Sequence, residues 1–346
     1  MTKHLPHISP VLLAIYSDKI PFLNNSYFCN PMDEYFKSVI LKETNAAAIL
    51  STTTIQNLWS GYGKILRLEL KDATHKSIVV KHVKLPDHQN HPRGWNSDVG
   101  HQRKIKSYKV ETNWYQRYSP MSQARLPKCI SVESKNEEVL MILEDLDQAG
   151  FNLRKQSIDW NEISACLKWL AQFHASFLGK APNHLWQIGT YWHLNTRPQE
   201  LEVMDDHKLK EAASLIDSKL NNCRFQTFVH GDAKLANFCF AQNGNVAGVD
   251  FQYVGGGCGM KDIAYFVGSC LNDKDCEILE SKILDTYFAH LQNALEEKNE
   301  ALEQEWRSLY RVAWADFHRF LKGWSPGHWK INSYSERITS EVINNL

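Results

Sequence analysis

The feature that most constrains this chain is a change of patterning near its middle. Up to about residue 146 the apolar residues fall in short β-branched or alternating runs, and beyond about residue 152 they recur at helical spacing. Strands first and helices afterwards predict an α+β fold rather than repeated βαβ units. In the first part, Ala47–Asn57, Ile65–Leu70 (I-L-R-L-E-L) and Ser77–Val83 read as strands, Ile105–Tyr118 as a helix, and Lys128–Val132 and Glu138–Leu143 as two more strands. Residues 86–101 are rich in Pro, Gly, Asn and His and read as a mobile loop, with His88 and His91 solvated. In the second part, Asp159–Leu178 is an amphipathic helix with Ile163, Leu167, Leu170, Phe173 and Phe177 on one face. Short strands are expected at Thr227–Val229, Phe238–Ala241 and Val246–Val249, the last two joined by an Asn243-Gly244 hairpin turn. Helices are expected at about 261–271, 274–297, 299–322 and 334–345. A length of 346 residues fits about two units. The boundary near Asp145–Asn152 divides them into residues 1–146 and 147–346.

Charge narrows the partners. The 39 basic and 39 acidic residues cancel, which disfavours a strongly basic nucleic-acid binder. The apolar run Val11–Ile15 is too short for a signal sequence or a membrane span. The eight cysteines form no C-x-x-C pair, which argues against a zinc ribbon and for buried thiols. A soluble, cytoplasmic protein without membrane or nucleic-acid partners is expected; oligomeric state stays open.

The sharpest chemical signal is His230-Gly231-Asp232-Ala233-Lys234-Leu235-Ala236-Asn237, followed after a hairpin by Asp250-Phe251-Gln252. Phosphoryl transfer needs a carboxylate that orients or deprotonates the attacking hydroxyl, and oxygen donors that hold a divalent cation on the phosphates. One Asp on a loop, with an Asn and a second Asp on neighbouring loops, supplies those parts.

The spacing His-Gly-Asp-x-x-x-x-Asn with a later Asp resembles the aminoglycoside phosphotransferase and choline kinase-like superfamily, a small-molecule branch of the protein-kinase-like fold. The segment Gly259-Met260-Lys261-Asp262-Ile263-Ala264 is similar to that group's G-x-x-D-[LI]-A stretch, and the whole looks closest to the ecdysteroid kinase-like branch. The resemblance implies a bilobal fold: a small antiparallel-sheet lobe with one helix, and a larger, mainly helical lobe. It implies ATP and Mg2+ as cofactors, Asp232 as catalytic base with His230 supporting its loop, and Asn237 and Asp250 as metal ligands. Asp262 would brace the catalytic loop or cap its own helix.

Such a lobe should also hold a strand lysine paired with a helix glutamate. Lys81, inside the apolar run Val79–Val83, is the natural lysine, with Lys84 at the strand end as competitor; Glu111 is the sole acid in Ile105–Tyr118. The turn Ser60-Gly61-Tyr62-Gly63 would cover the nucleotide, its Gly61 and Gly63 serving equally well in a plain hairpin. Gly255–Gly259 matches no phosphate-loop pattern and reads as flexible. Glu144-Asp145-Leu146 falls where backbone would meet an adenine, with Asp145 and Asp147 as solvated neighbours.

The expected acceptor is a hydroxyl on a choline-, aminoglycoside-, sugar- or steroid-like molecule. Asp316 among Trp314 and Trp324 suggests a site for a cationic ligand, although helical aromatics equally suit a core. The alternatives are a non-catalytic nucleotide-binding protein on the same fold and a protein kinase. Lys261 comes only eleven positions after Asp250 and no Ala-Pro-Glu element follows, so a peptide-positioning segment has little room.

Overall fold

The computed structural model describes residues 33–58, 61–84 and 98–346. The run Val11–Ile15, Cys29, Ser60 and the histidines His88 and His91 lie outside them. Helix α1 (Glu34–Thr44), capped by Asp33, precedes strands β1 (Ala48–Asn57), β2 (Gly63–Lys71) and β3 (Ser77–Val83). Helix α2 (Asp98–Asn113) runs into a π-helical turn, Trp114–Tyr118, and is followed by β4 (Cys129–Lys135) and β5 (Glu138–Glu144). The strands form one antiparallel sheet in the order β1-β2-β3-β5-β4.

The period-two alternation of β3 explains how this sheet serves both a core and a site. Ile78 and Val80 face a core that α1 closes with Phe36, Val39 and Ile40. Lys81 points to the opposite face, towards α2. The strand β1 lies at the sheet's edge, mostly exposed, and its register slips at Ile49/Ser51 and Thr54/Gln56. Threonines at 52–54 suit such a half-solvated edge.

The larger part is helical: α3 (Trp160–Phe177), α4 (His207–Asn221), α5 (Met260–Cys270), α6 (Asp273–Ala294), α7 (Glu300–Trp324) and α8 (Ser333–Asn344), with the short helix Pro198–Glu202 packed against α7. Asp159 and Glu162 form a capping box that starts α3 at the expected place. Strands β6 (Thr227–Val229), β7 (Phe238–Phe240) and β8 (Val246–Gly248) sit where the pattern put them, and β7 pairs with β8 across the Asn243-Gly244 turn.

Several expectations need correcting. The helix expected at Ile105–Tyr118 starts earlier and ends at Asn113. The π turn after it lets the adjacent residues Trp114 and Tyr115 both bury, each against Phe251 at 4.7 and 6.0 Å. Helices α1 and α4 were missed, although Asp33 and Asp206 are N-cap signals for them. Gly255–Gly259 is not a flexible segment. Residues Gly255–Gly257 form strand β9, which pairs with β6. Glycine is required there by close packing, since a Cβ at Gly255 would lie 2.2 Å from the Trp186 carbonyl oxygen. Among the described residues, no helix is long and apolar enough to cross a membrane.

Candidate active site

The catalytic-loop motif unfolds from the end of β6. Asp262, at the start of α5 and fully buried, accepts from the backbone N–H groups of His230 at 2.6 Å and Gly231 at 3.0 Å, and also meets His174 Nε2 at 3.1 Å. It therefore braces the loop. His230 uses both ring nitrogens locally: the N–H of Asp232 donates to Nδ1 at 3.3 Å, which leaves Nε2 to donate to the Val249 carbonyl at 3.0 Å. Its ring packs 4.8 Å from that of Phe251. The geometry makes His230 a support for the loop, not a group facing the cleft.

Asp232 is 6% exposed and receives a converging set of donors. Tyr265 donates to Oδ1 at 3.0 Å; Lys234 Nζ and Asn237 Nδ2 donate to Oδ2 at 3.0 and 3.1 Å. Asn237 Nδ2 also donates to the Asp232 carbonyl at 2.7 Å. The amide nitrogen of Asn237 is thus consumed, while its oxygen accepts no hydrogen bond from a described residue.

Asp250 follows β8 in a left-handed conformation, φ 71°. Non-glycine residues adopt this conformation at some energetic cost, and such strain clusters at functional sites. Its Oδ1 accepts from Gln252 at 2.8 Å and lies 3.7 Å from Lys81 Nζ. Burial opposes its charge, but Lys81, Lys234 and Lys104 outweigh burial and hold the carboxyl below its ordinary range. Across the cleft, Lys81 donates to Glu111 at 2.6 Å, both side chains being almost fully buried. Burial would strip Lys81 of its proton; Glu111 and Asp250 keep it charged and raise its pKa. The competitor Lys84 pairs instead with Glu138, 2.8 Å away and more exposed.

The structure therefore brings together Asp232, Asn237, Asp250, Lys81 and Glu111 from both lobes. Among the described residues, no group of three or more His, Cys, Asp or Glu side chains could hold a metal ion. A hard cation that keeps waters and takes its other ligands from phosphate needs no such group. The open amide oxygen of Asn237 and the carboxylate of Asp250 fit that requirement.

Other expected residues fall elsewhere. Gly61 sits exposed at its turn, and Gly63 opens β2 so close to β3 that a Cβ would lie 2.0 Å from the His82 carbonyl oxygen. Tyr62 between them tucks inward, its hydroxyl 2.5 Å from His101 Nδ1. Glu144 holds Arg125 and the Lys128 N–H, and Leu146 is buried against Cys239 and Ala247. Asp145 is not solvated: it is 2% exposed, gripped by Arg67 at 2.8 and 3.1 Å and by the Ser77 hydroxyl at 2.6 Å. Asp147 is half-buried beside Arg67 and Arg154. Trp314 packs in the core against Tyr334 and Gly268, so no ligand reaches it. Asp316 is buried and committed to Arg319 at 2.8 Å and to the Trp192 N–H at 2.9 Å, which removes it as a free anion for a cationic ligand. Trp324 is half-buried, stacked on Phe320.

Four residues at the site had no role assigned from the sequence: Lys104, Lys234, Tyr265 and Gln252. Lys234 lies inside the motif itself. Lys104 donates to Gln252 Oε1 at 2.7 Å, and burial brings its pKa down to about 8, with Asp250 opposing. Nothing in local spacing marks Lys104, since α2 carries it to Gln252 from 148 residues away.

A two-lobed frame with these charges around one cleft is the protein-kinase-like fold of small-molecule phosphotransferases. The chain belongs to the ecdysteroid kinase-like family, whose model matches residues 65–184 and 177–300. Among solved structures, amicoumacin kinase hAmiN, held with AMP-PNP and Ca2+, is 11% identical over 91% of this chain and 93% of its own, with a TM-score of 0.50. Choline kinase LicA from Streptococcus pneumoniae is 11% identical over 90% of this chain and 98% of its own, with a TM-score of 0.47. The GDP complex of aminoglycoside 2'-phosphotransferase-IIIa is 10% identical over 91% and 99%, also at 0.47. At these identities the likeness concerns the fold alone. No curated protein matches the chain.

Proposed function

We propose that the protein transfers the γ-phosphoryl group of ATP to a hydroxyl of a small molecule. The observation that carries this reading is the meeting of the two lobes: Asp250 Oδ1 stands 3.7 Å from Lys81 Nζ, which is itself fixed by Glu111. Residues 1–146 form the nucleotide-binding lobe and residues 147–346 the catalytic lobe. Lys81 positions the phosphates, and Lys104 adds a second ammonium beside them. Asn237 and Asp250 hold Mg2+, which when bound would offset charge on the phosphate oxygens. Asp232 orients the acceptor hydroxyl and takes its proton. The hydroxyl oxygen forms a bond to the γ-phosphorus as the bond to the β–γ bridging oxygen breaks, and ADP leaves. Tyr265, Lys234 and Asn237 fix the carboxylate for this task. A reducing, cytoplasmic setting suits the buried free thiols Cys166, Cys239, Cys258 and Cys276.

Incubation of the purified chain with ATP, Mg2+ and a panel of small alcohols, followed by phosphorus NMR, tests the reading. A phosphate monoester appearing together with ADP is expected. Phosphorylated casein with no alcohol product, or no ATP-dependent product at all, would overturn it.

A further inference from the structure

The acceptor side of the cleft carries a charge pattern opposite to the one that Asp316 suggested. Next to Asp232 lies a buried aromatic cluster, in which Tyr265, Phe317 and Phe320 pack together with the half-buried Tyr191. Within it each carboxylate already has its cation. Asp232 holds Lys234, Asp316 holds Arg319 and Glu200 holds Arg197. Lys330, in the segment between α7 and α8, places its ammonium 4.7 Å from the Tyr265 ring centroid and 5.4 Å from that of Phe317. Tyr265 is the residue whose hydroxyl donates to Asp232. Lys330 Nζ makes no ion pair or hydrogen bond with a described residue; its recorded contacts are the rings. Arg103 adds to the excess: its Nη1 has only the Thr196 carbonyl at 2.8 Å, and Arg197 lies near enough to oppose its charge.

A half-buried ammonium with no ion pair of its own, drawn towards an Asp232 that Lys234 already holds, is costly, and an incoming anion relieves that cost. Burial and Lys234 bring the Lys330 pKa down to about 8 against the pull of Asp232, so the side chain remains largely protonated at neutral pH. A cationic acceptor would meet repulsion from Lys330 with no free carboxylate to offset it.

We propose that the acceptor is a hydroxy compound carrying a carboxylate, and that Lys330 is the specificity residue that binds the carboxylate. This rests on the reading above that the acceptor hydroxyl approaches Asp232.

Three matched probes test it with the full chain: para-(hydroxymethyl)benzoate, benzyl alcohol and para-(aminomethyl)benzyl alcohol. Binding is measured by calorimetry in the presence of AMP-PNP and Mg2+, and phosphoryl transfer from ATP is measured separately. The carboxylate probe should bind about tenfold or more tighter than the ammonium probe, as a charge-assisted contact in a half-buried site allows. Lys330→Gln should erase most of that ratio, Lys330→Arg should keep it, and Lys330→Glu should invert it. The change should appear in KM more than in kcat. Equal or absent binding of the two charged probes, or a ratio unmoved in Lys330→Glu, would overturn the proposal. Transfer and binding fail separately. A binding preference without any transfer would sink the phosphotransferase reading and leave the charge assignment standing, whereas transfer without preference would do the reverse.

Discussion

The phosphate end and the acceptor end of the cleft are built on different principles. At the phosphate end, Lys81, Glu111 and Asp250 form a closed electrostatic set: two acids hold one buried lysine, and three lysines hold Asp250 ionised. At the acceptor end the charges are paired off one by one, Asp232 with Lys234 and Asp316 with Arg319, and Lys330 makes no ion pair with a described residue. The closed set suits a constant ligand, a polyphosphate with its cation, which always brings the same charges. The open end suits a ligand whose identity the surplus charge selects. On the proposed reading, reaction and specificity reside in different parts of the cleft and should fail separately when mutated.

The largest effect that would separate the two ends is at Lys81. Lys81→Met and Glu111→Gln should each lower kcat/KM for ATP by about a hundredfold to a thousandfold, the scale of losing one preorganised charged donor. The double variant should cost little more than either single one, because one buried pair performs one task. Fully additive losses would show that the pair does not act as a unit. A smaller effect is expected in the metal dependence. Asp250→Asn should raise the magnesium concentration needed for nucleotide binding by about tenfold, and by more than Asn237→Ala does, because a carboxylate is the stronger hard-cation ligand. Magnesium titration at fixed AMP-PNP checks this; equal curves for wild type and Asp250→Asn would contradict it.

The smallest effect is at Lys104, and its sign separates stability from binding. Its folded pKa, about 8, lies below that of a free lysine, with burial as the leading cause. The unfolded chain therefore binds this proton more readily, and stability should rise as pH increases from about 8 towards the ordinary lysine value. Lys104→Met should remove that rise and lift the melting temperature at neutral pH by a few degrees. It should also weaken AMP-PNP binding several-fold. Thermal denaturation at neutral and alkaline pH, with and without AMP-PNP, reads both quantities. A melting temperature lowered at neutral pH would show that the hydrogen bond of Lys104 to Gln252 and its place over the Tyr108 ring, 4.8 Å from the centroid, outweigh its burial.

The same division explains what could be read from the sequence. The α+β division and the residues of the phosphate end were legible because each rests on local order: alternation in β3 puts Lys81 on a fixed face, and Asp232, Asn237 and Asp250 lie on one short stretch around a hairpin. The acceptor end joins Arg103 on α2, Tyr265 on α5 and Tyr191, Arg197 and Lys330 in connecting segments, which no local spacing links. Asp316 misled for this reason. An acid among aromatics suggests a cation site until Arg319, three residues on, is seen to neutralise it. The glycine run at 255–257 misled in a similar way, since glycine there answers the approach of Trp186 rather than a need for flexibility.

The central claim is that Asp232 acts on the acceptor and not on the nucleotide. Single-turnover transfer from ATP and AMP-PNP affinity, measured on one preparation of Asp232→Ala, test it most directly. Transfer should fall by a factor on the order of a hundred to ten thousand, the usual contribution of a general base, while AMP-PNP affinity stays within about threefold, less than 1 kcal/mol. Transfer at the wild-type rate, or a loss of nucleotide affinity as large as the loss of transfer, would contradict it.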